Sequence, residues 1–138
     1  MKIKRVEHIA IAVSSLGPSI DLLRNTFGLT LEYEEQIGQT RLAMLPVGET
    51  YLELLEGQGP DSGVTKWIAE KGPGLFHICF EVEDIEAALV ELKGKGVKLR
   101  DETPRIGHGG ARIAFLDPSS TGSVLIELAE LPGSHGAA

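Results

Sequence analysis

The sequence has few basic side chains and no long apolar run. Its 138 residues include 13 lysines and arginines against 20 aspartates and glutamates, a formal net charge of −7. Nucleic-acid binding usually needs a basic face that displaces counterions from phosphates, so this balance argues against it. No apolar stretch approaches the ~20 residues that cross a bilayer, and the amino terminus lacks an apolar signal core. We therefore expect no membrane partner and predict a cytoplasmic protein.

Cysteine is nearly absent as well. Cys79 is the only one, so no disulfide can form within the chain. It stands in an apolar strand pattern beside Phe80, where a buried, unreactive thiol is the usual outcome. The composition, 42% hydrophobic and 24% charged, is typical of a globular protein, and the length suits a single domain over residues 1–138.

Two segments of the chain resemble each other. The first runs from His8 through an alternating strand into a helical pattern that ends near Gly28. The second runs from His77 through a similar strand into a helical pattern that ends near Gly96. His77 lies 69 residues after His8, half the length of the chain. Self-similarity of this kind indicates that one structural module occurs twice.

Each segment continues with three strand-like stretches, so the module reads β-α-β-β-β and the predicted fold class is α+β. Module 1 covers about residues 5–57 and module 2 about residues 74–131. A loop and a short helix at 58–73 join them, and Pro, Gly, Ser and Ala dominate 132–138, which we expect to be a frayed tail. The predicted strands after each helix are 30–36, 40–45 and 50–55 in module 1, and 98–102, 111–116 and 123–129 in module 2.

His8 and His77 each stand at the start of a predicted strand whose two faces carry different side chains. Successive side chains along a strand point to opposite faces. In module 1, Ile9 and Ile11 fall on the face that the helix covers, while His8 falls on the other face with two alanines. In module 2, His77 shares its face with Cys79, away from the helix. Small side chains beside each histidine leave room for another group there.

Glu53 and Glu127 stand between leucine and isoleucine residues in the last strand of each module. An ionised carboxylate in an apolar strand is costly unless a partner compensates its charge. With His8 and His77 these residues offer two imidazoles and two carboxylates, a set that suits Mn, Co, Ni, Fe or Zn. The sequence therefore predicts one divalent metal ion per chain. Duplication of a purely structural role is the competing interpretation of the pattern.

Six segments carry a family resemblance: HIAIAV (8–13), LELLE (52–56), DSGVTKWI (61–68), GPGLFHICFEV (72–82), IAFLDP (113–118) and VLIEL (124–128). They resemble the vicinal oxygen chelate superfamily, which includes glyoxalase I, extradiol dioxygenases, bleomycin- and fosfomycin-resistance proteins and methylmalonyl-CoA epimerase. The Asp61-Ser62 loop and the helix with Trp67 are most similar to the epimerase branch. The resemblance covers about residues 5–130.

This resemblance implies a fold, a site and a partner. The two modules would form a curved, partly closed mixed sheet around the metal ion, with the helices on the outer face. His8, Glu53, His77 and Glu127 would bind the ion, and Glu53 is a permitted choice where some relatives have glutamine. The protein would be a homodimer that acts on an acyl-CoA thioester.

The activity that the resemblance implies is the metal-dependent epimerisation of (R)- and (S)-methylmalonyl-CoA, an isomerase reaction. Removal of the α-proton would produce a metal-stabilised enolate, and a proton returned to the opposite face would complete the inversion. Glu127 is the expected catalytic base. The second acid–base group stays open between a bound water, a carboxylate of the Glu32–Glu35 strand and Asp117.

Three departures from the family pattern involve four residues. Phe76 precedes His77, where relatives have a second histidine. Asp117 and Ser119 replace a histidine and a lysine that would help to accept the anionic thioester. Leu42 aligns with a catalytic glutamate of some bacterial epimerases, and a leucine cannot exchange a proton.

Other polar residues have open roles. His108, in the Gly107–Gly110 loop, could reach a site, although a glycine-rich hairpin loop without a chemical role explains the segment as well. Four cations could attract the phosphates of coenzyme A or be ordinary surface residues. They are Lys66, Lys71, Arg105 and Arg112.

Two other functions fit the same scaffold. A glyoxalase-type isomerase or lyase would use the same metal site on a different substrate. A metal-free resistance protein would instead sequester a small molecule, although the presence of all four ligands argues against it. Metal analysis separates the binder from the enzymes, and an assay of thioester against hemithioacetal separates the two enzymes.

Overall fold

A computed structural model describes residues 1–133. Of the tail predicted at 132–138, residues 134–138 lie outside the described part. The chain divides into two compact units, His8–Phe76 and Met1–Glu7 together with His77 onward. The fold is α+β, and the described residues form three α-helices and eight β-strands. None of these helices is long and apolar enough to cross a membrane.

The first unit consists mainly of the elements predicted for module 1 and the following short helix. In chain order they are β1 (Ile3–Ala12), α1 (Leu16–Phe27), β2 (Tyr33–Ile37), β3 (Thr40–Val47), β4 (Thr50–Gly57) and α2 (Gly63–Lys71). The strand order is β2-β3-β4-β1, in which β1 and β4 are parallel and the other pairs antiparallel. Gly28 ends α1 with a φ of 69°, a left-handed conformation that glycine adopts without strain.

Each face of this first sheet packs against a different helix. On one face, Leu16 and Ile20 of α1 pack with Leu45 and Leu54. On the other face, Val64 of α2 packs on a mostly apolar cluster, so α2 covers the side of the sheet away from α1. The buried partners of Val64 are Ala10, Ala12, Leu42, Met44 and Leu55.

The second unit repeats this arrangement without a counterpart of α2. Its elements are β5 (Gly74–Val82), α3 (Ile85–Gly94), β6 (Arg105–Ile106), β7 (Arg112–Phe115) and β8 (Ile126–Glu130). The strand order is β5-β8-β7-β6, with β5 and β8 parallel. Asp84 caps α3 by accepting a hydrogen bond from Ala87 N at 3.1 Å. The helix packs through Ile85 and Leu89 on one face of the sheet, and Cys79 is buried on the other.

Two predicted strands of module 2 have different bounds in the structure. Instead of a strand at 98–102, only Leu99 forms an isolated bridge, and β6 begins at Arg105. The reason is that Asp101 binds β7 through its side chain, whose Oδ2 accepts a hydrogen bond from Phe115 N at 2.8 Å. The strand predicted at 123–129 starts later because Ser123 has a left-handed φ of 70°, which no strand residue adopts.

Candidate active site

Each module contains one buried pair of a histidine and a glutamate. In module 1, His8 Nε2 lies 3.2 Å from Glu53 Oε1, and the side chains are 0% and 4% exposed. In module 2, His77 Nε2 lies 3.0 Å from Glu127 Oε1, and both side chains are 4% exposed. All four residues predicted as metal ligands are therefore buried, and they occur as two His–Glu pairs of the same geometry.

The strand register explains why each pair forms. Glu53 is the neighbour of Ala10 in the parallel ladder of β1 and β4, and Glu127 is the neighbour of Cys79 in the ladder of β5 and β8. Each histidine lies two positions before that neighbour, so it projects from the same face as the glutamate. We call this face of each sheet the ligand face. The equivalent registers confirm the repeat that the sequence predicted.

The pairs have the spacing and the chemistry of metal ligands. Two ligands that each lie ~2.1 Å from one ion are ~3.0 Å apart in octahedral and ~3.4 Å apart in tetrahedral geometry. The observed distances of 3.0 Å and 3.2 Å fall in this range. Imidazole nitrogens with carboxylate oxygens suit Zn, Mn, Co, Fe and Ni. A hydrogen bond between a protonated imidazole and a carboxylate has a similar length, and metal analysis distinguishes the two.

Phe115 lies beside the pair of module 2. It is the antiparallel neighbour of Glu127, and its ring makes an edge contact with the ring of His77 at a centroid distance of 5.0 Å. The guanidinium of Arg105 lies over the Phe115 ring, 5.6 Å from the ring centroid. The His77 ring is thus held by an aromatic neighbour as well as by Glu127, which favours a fixed orientation for both side chains.

A third buried His–Glu pair lies in the second unit. His108 Nε2 is 2.8 Å from Glu7 Oε1, and the side chains are 5% and 3% exposed. Our sequence analysis left the role of His108 open and missed Glu7. The available signal was a carboxylate directly before His8 in an apolar strand, which is costly to bury without a partner. The partner itself comes from a loop about 100 residues away.

The other candidates for the second acid–base group have local roles. Asp117 Oδ1 accepts a hydrogen bond from Ser119 N at 2.9 Å, and this backbone hydrogen bond holds the pKa of Asp117 below its usual value. Glu32 accepts a hydrogen bond from the Tyr51 hydroxyl at 2.6 Å, and Glu34 pairs with an arginine of the neighbouring strand. Leu42 is buried in the cluster beneath α2, where it offers only hydrocarbon.

Several of the predicted surface cations have partners within the described residues. Arg112 binds Glu86, and this hydrogen bond raises the pKa of the Arg112 guanidinium. Lys71 lies over the ring of Trp67, with its ammonium nitrogen 4.4 Å from the ring centroid. These contacts account for Arg112 and Lys71 as parts of the fold.

The chain is similar to known proteins over most of its length. The profile of the Glyoxalase/Bleomycin resistance protein/Dioxygenase superfamily matches residues 7–115. The mitochondrial methylmalonyl-CoA epimerase of Dictyostelium discoideum is 37% identical, over 93% of this chain and 79% of that protein. An ethylmalonyl-CoA/methylmalonyl-CoA epimerase of Cereibacter sphaeroides is 36% identical, over 94% of this chain and 99% of that protein.

A solved structure extends the likeness to three dimensions. A methylmalonyl-CoA epimerase in complex with methylmalonyl-CoA and NH4+ matches with a TM-score of 0.92 and 35% identity. The match covers 96% of this chain and 98% of that one. The chain therefore belongs to the methylmalonyl-CoA epimerase family of the Glyoxalase/Bleomycin resistance protein/Dioxygenase superfamily, and it is an enzyme of the epimerase type.

Proposed function

We propose that this chain interconverts the (R) and (S) epimers of methylmalonyl-CoA in a metal-dependent reaction at the α-carbon. The observation that carries the proposal is the pair of buried His–Glu contacts at equivalent registers of the two modules. The names of the relatives support the substrate, because one acts on methylmalonyl-CoA and another on ethylmalonyl-CoA as well. Both substrates are malonyl thioesters with an alkyl group on the α-carbon.

The proposed metal ligands are His8, Glu53, His77 and Glu127. Their burial supports this role, because two carboxylates in an apolar environment are costly to ionise without a cation. When bound, a divalent ion would act as a Lewis acid that stabilises the negative charge that develops on the thioester oxygen. The donor set is compatible with Co, Mn, Ni, Zn or Fe, and elemental analysis of the purified protein identifies which ion it holds.

The proposed base is Glu127. Its carboxylate takes the proton from the α-carbon, and the electron pair of the broken C–H bond forms the enolate. The environment of Glu127 suits this task, because Phe115 and Cys79 flank it in the sheet and keep bulk water from the carboxylate. The basicity of Glu127 would depend on how strongly it binds the metal ion.

The experiment for this proposal uses the purified protein loaded with metal. Each epimer of methylmalonyl-CoA is incubated in heavy water, and NMR follows both loss of the α-proton and formation of the other epimer. The proposal predicts both signals, and ethylmalonyl-CoA tests whether a longer alkyl group is accepted. If metal-loaded protein shows neither exchange nor inversion with either thioester, the proposal is wrong, and a hemithioacetal assay then tests the glyoxalase alternative.

The assembly and location of the protein are further parts of the proposal. We expect a homodimer from the family resemblance of the sequence, and light scattering of the purified protein would detect it as twice the mass of the chain. A cytoplasmic location is expected from the sequence, and fractionation of the producing cells measures it.

A further inference from the structure

Arg105 is an exposed cation on the ligand face of the second unit. It lies in β6, and its ladder neighbour in β7 is Ile113. Ladder neighbours project from the same face of a sheet, and Ile113 packs in the buried cluster of Cys79 on the ligand face. The side chain of Arg105 therefore extends from the face that carries His77 and Glu127.

Phe115 links the guanidinium of Arg105 to the proposed reaction site. The guanidinium lies over the Phe115 ring at 5.6 Å from the centroid, which is within the range of a cation–π contact. The same ring makes the edge contact with His77, and its residue is the ladder neighbour of Glu127. A single aromatic ring thus contacts both the guanidinium and the pair that contains the proposed base.

Asp101 restrains Arg105 without enclosing it. Oδ1 of Asp101 lies 3.4 Å from Nε of Arg105, and Oδ2 accepts the hydrogen bond from Phe115 N at 2.8 Å. The guanidinium is therefore held between an anchored carboxylate and an aromatic ring, yet the side chain of Arg105 is 56% exposed. A guanidinium has five N–H donors, so the accessible edge can bind a second anion.

Two other arginines of the second unit have partners that tie them into the fold. Nε of Arg5 lies 2.7 Å from the buried carboxylate of Glu81. Arg112 binds Glu86 of α3, on the face of the sheet opposite to the ligand face. Arg105 differs from both, because it lies on the ligand face and is more than half exposed.

The proposed substrate brings negative charge to this place. A malonyl thioester has a carboxylate on its α-carbon, and removal of the α-proton adds the charge of the enolate. The charge of a divalent ion is formally balanced by Glu53 and Glu127, which leaves the substrate carboxylate without a cation of its own. A guanidinium supplies this positive charge together with two parallel N–H donors that match the geometry of a carboxylate.

We infer that Arg105 binds the α-carboxylate of the substrate and thereby selects malonyl thioesters over acyl-CoA thioesters that lack this group. The inference rests on the proposed function and identifies the residue that recognises its substrate. The carboxylate fits this position better than the phosphates of coenzyme A do. It is attached to the reacting carbon, whereas two amide units of the pantetheine chain separate the phosphates from the thioester.

The test compares Arg105→Met with wild type, both loaded with metal, on three ligands. Methylmalonyl-CoA carries both kinds of anion, methylmalonyl-pantetheine lacks the phosphates, and isobutyryl-CoA has a methyl group in place of the carboxylate. We expect kcat/KM to fall ~10–100-fold for both methylmalonyl thioesters, the scale of a lost charge-assisted hydrogen bond. The Kd of isobutyryl-CoA, measured by calorimetry, should change by less than ~3-fold, because this ligand has no carboxylate to lose a partner. Arg105→Lys should recover part of the loss, since lysine supplies the charge without the planar fork.

The matched control is Arg112→Met, which removes the same charge from the neighbouring strand on the opposite face of the sheet. All three ligands should keep their wild-type values within ~3-fold in this variant, which separates a local contact from the effect of net charge. Circular dichroism and metal content are measured for every variant, and Arg105→Gln replaces Arg105→Met if the latter does not fold.

The three ligands distinguish the ways in which the inference could fail. A loss with methylmalonyl-CoA but not with methylmalonyl-pantetheine would mean that Arg105 binds the phosphates, and would overturn the inference. An equal loss with all three ligands would mean a structural role, and values within ~3-fold of wild type throughout would mean no role in binding. Either result would overturn it too. Wild type that is inactive with both methylmalonyl thioesters would instead overturn the proposed function, and the inference with it.

Discussion

The two modules hold the same His–Glu pair in different surroundings. In module 1, α2 covers the ligand face, and the pair of His8 and Glu53 shares that face with a cluster of buried apolar side chains. Among the described residues of the second unit no α-helix packs on the ligand face, where Cys79 and Ala129 lie in a buried cluster beside the pair of module 2. Under the proposed function, both modules contribute metal ligands, and module 2 also contributes the proposed base, Glu127.

The largest expected effect is a loss of metal affinity, and it should be equal for the histidines of the two modules. His8→Ala and His77→Ala should each reduce metal affinity by more than ~100-fold, because even partners outside the ligand shell contribute ~10–100-fold. Both variants should keep the fold, since the ligand faces lie away from α1 and α3. Elemental analysis and circular dichroism measure the two outcomes. Wild-type metal content in both variants would mean that the pairs are not ligands.

Substitution of the two glutamates should affect the reaction rate differently in the two modules. With metal at saturation, Glu127→Gln should reduce α-proton exchange at least ~10²-fold, because a glutamine cannot act as a base. Glu53→Gln should weaken metal binding but recover most of the rate once the site is saturated, since an amide oxygen still binds a metal. NMR in heavy water, with metal content measured alongside, checks both. Equal loss of rate in the saturated variants would refute separate roles.

Leu42 and Ile113 occupy equivalent positions of β3 and β7, so substitutions there compare the two modules at matched sites. Each is buried, so Leu42→Ala and Ile113→Ala should each lower the free energy of unfolding by about 2–3 kcal/mol in urea titrations. Only Ile113→Ala should also slow inversion per folded molecule, because Ile113 lies two positions before Phe115, the ladder neighbour of the proposed base Glu127. A loss of inversion in Leu42→Ala as large as that in Ile113→Ala would contradict this difference.

The smallest expected effect concerns the connection between β7 and β8. The hydrogen bond from Ser119 N holds the pKa of Asp117 below its usual 3.8, so ionised Asp117 stabilises the folded state. This contribution should be fully present above that usual value and disappear as the pH falls through the lower pKa of the folded state. Asp117→Asn should therefore lower stability slightly at pH 6 and less at pH 3, as measured by thermal unfolding. Equal losses at both values would exclude the ionised group as the cause.

Local patterns in the sequence predicted most of the fold and singled out the four residues of the two His–Glu pairs. Alternation along β1 and β5 placed His8 and His77 on the correct faces, because the period of a strand is fixed by its geometry. The repeat then located Glu53 and Glu127 in equivalent strands. These features depend on neighbours along one strand or on symmetry, and both can be read from the sequence.

Features that depend on distant contacts were not predicted. The pairing of Glu7 with His108 joins a strand to a loop near the other end of the chain, and no periodicity signals it. The late start of β6 depends on the hydrogen bond between Asp101 and Phe115 N, which only the packed sheet provides. Tertiary contacts of this kind override local strand propensity, which explains the wrong strand at 98–102.

The most direct test of the account is the metal stoichiometry of the purified chain after saturation with a divalent ion and removal of the excess. The account predicts one ion per chain, lost in the single variants His8→Ala and His77→Ala alike, because both His–Glu pairs serve the same ion. Two ions per chain, with one retained in each single variant, would show that each module binds its own. No bound ion in wild type would show that the pairs are hydrogen bonds of the fold, and would contradict the central claim.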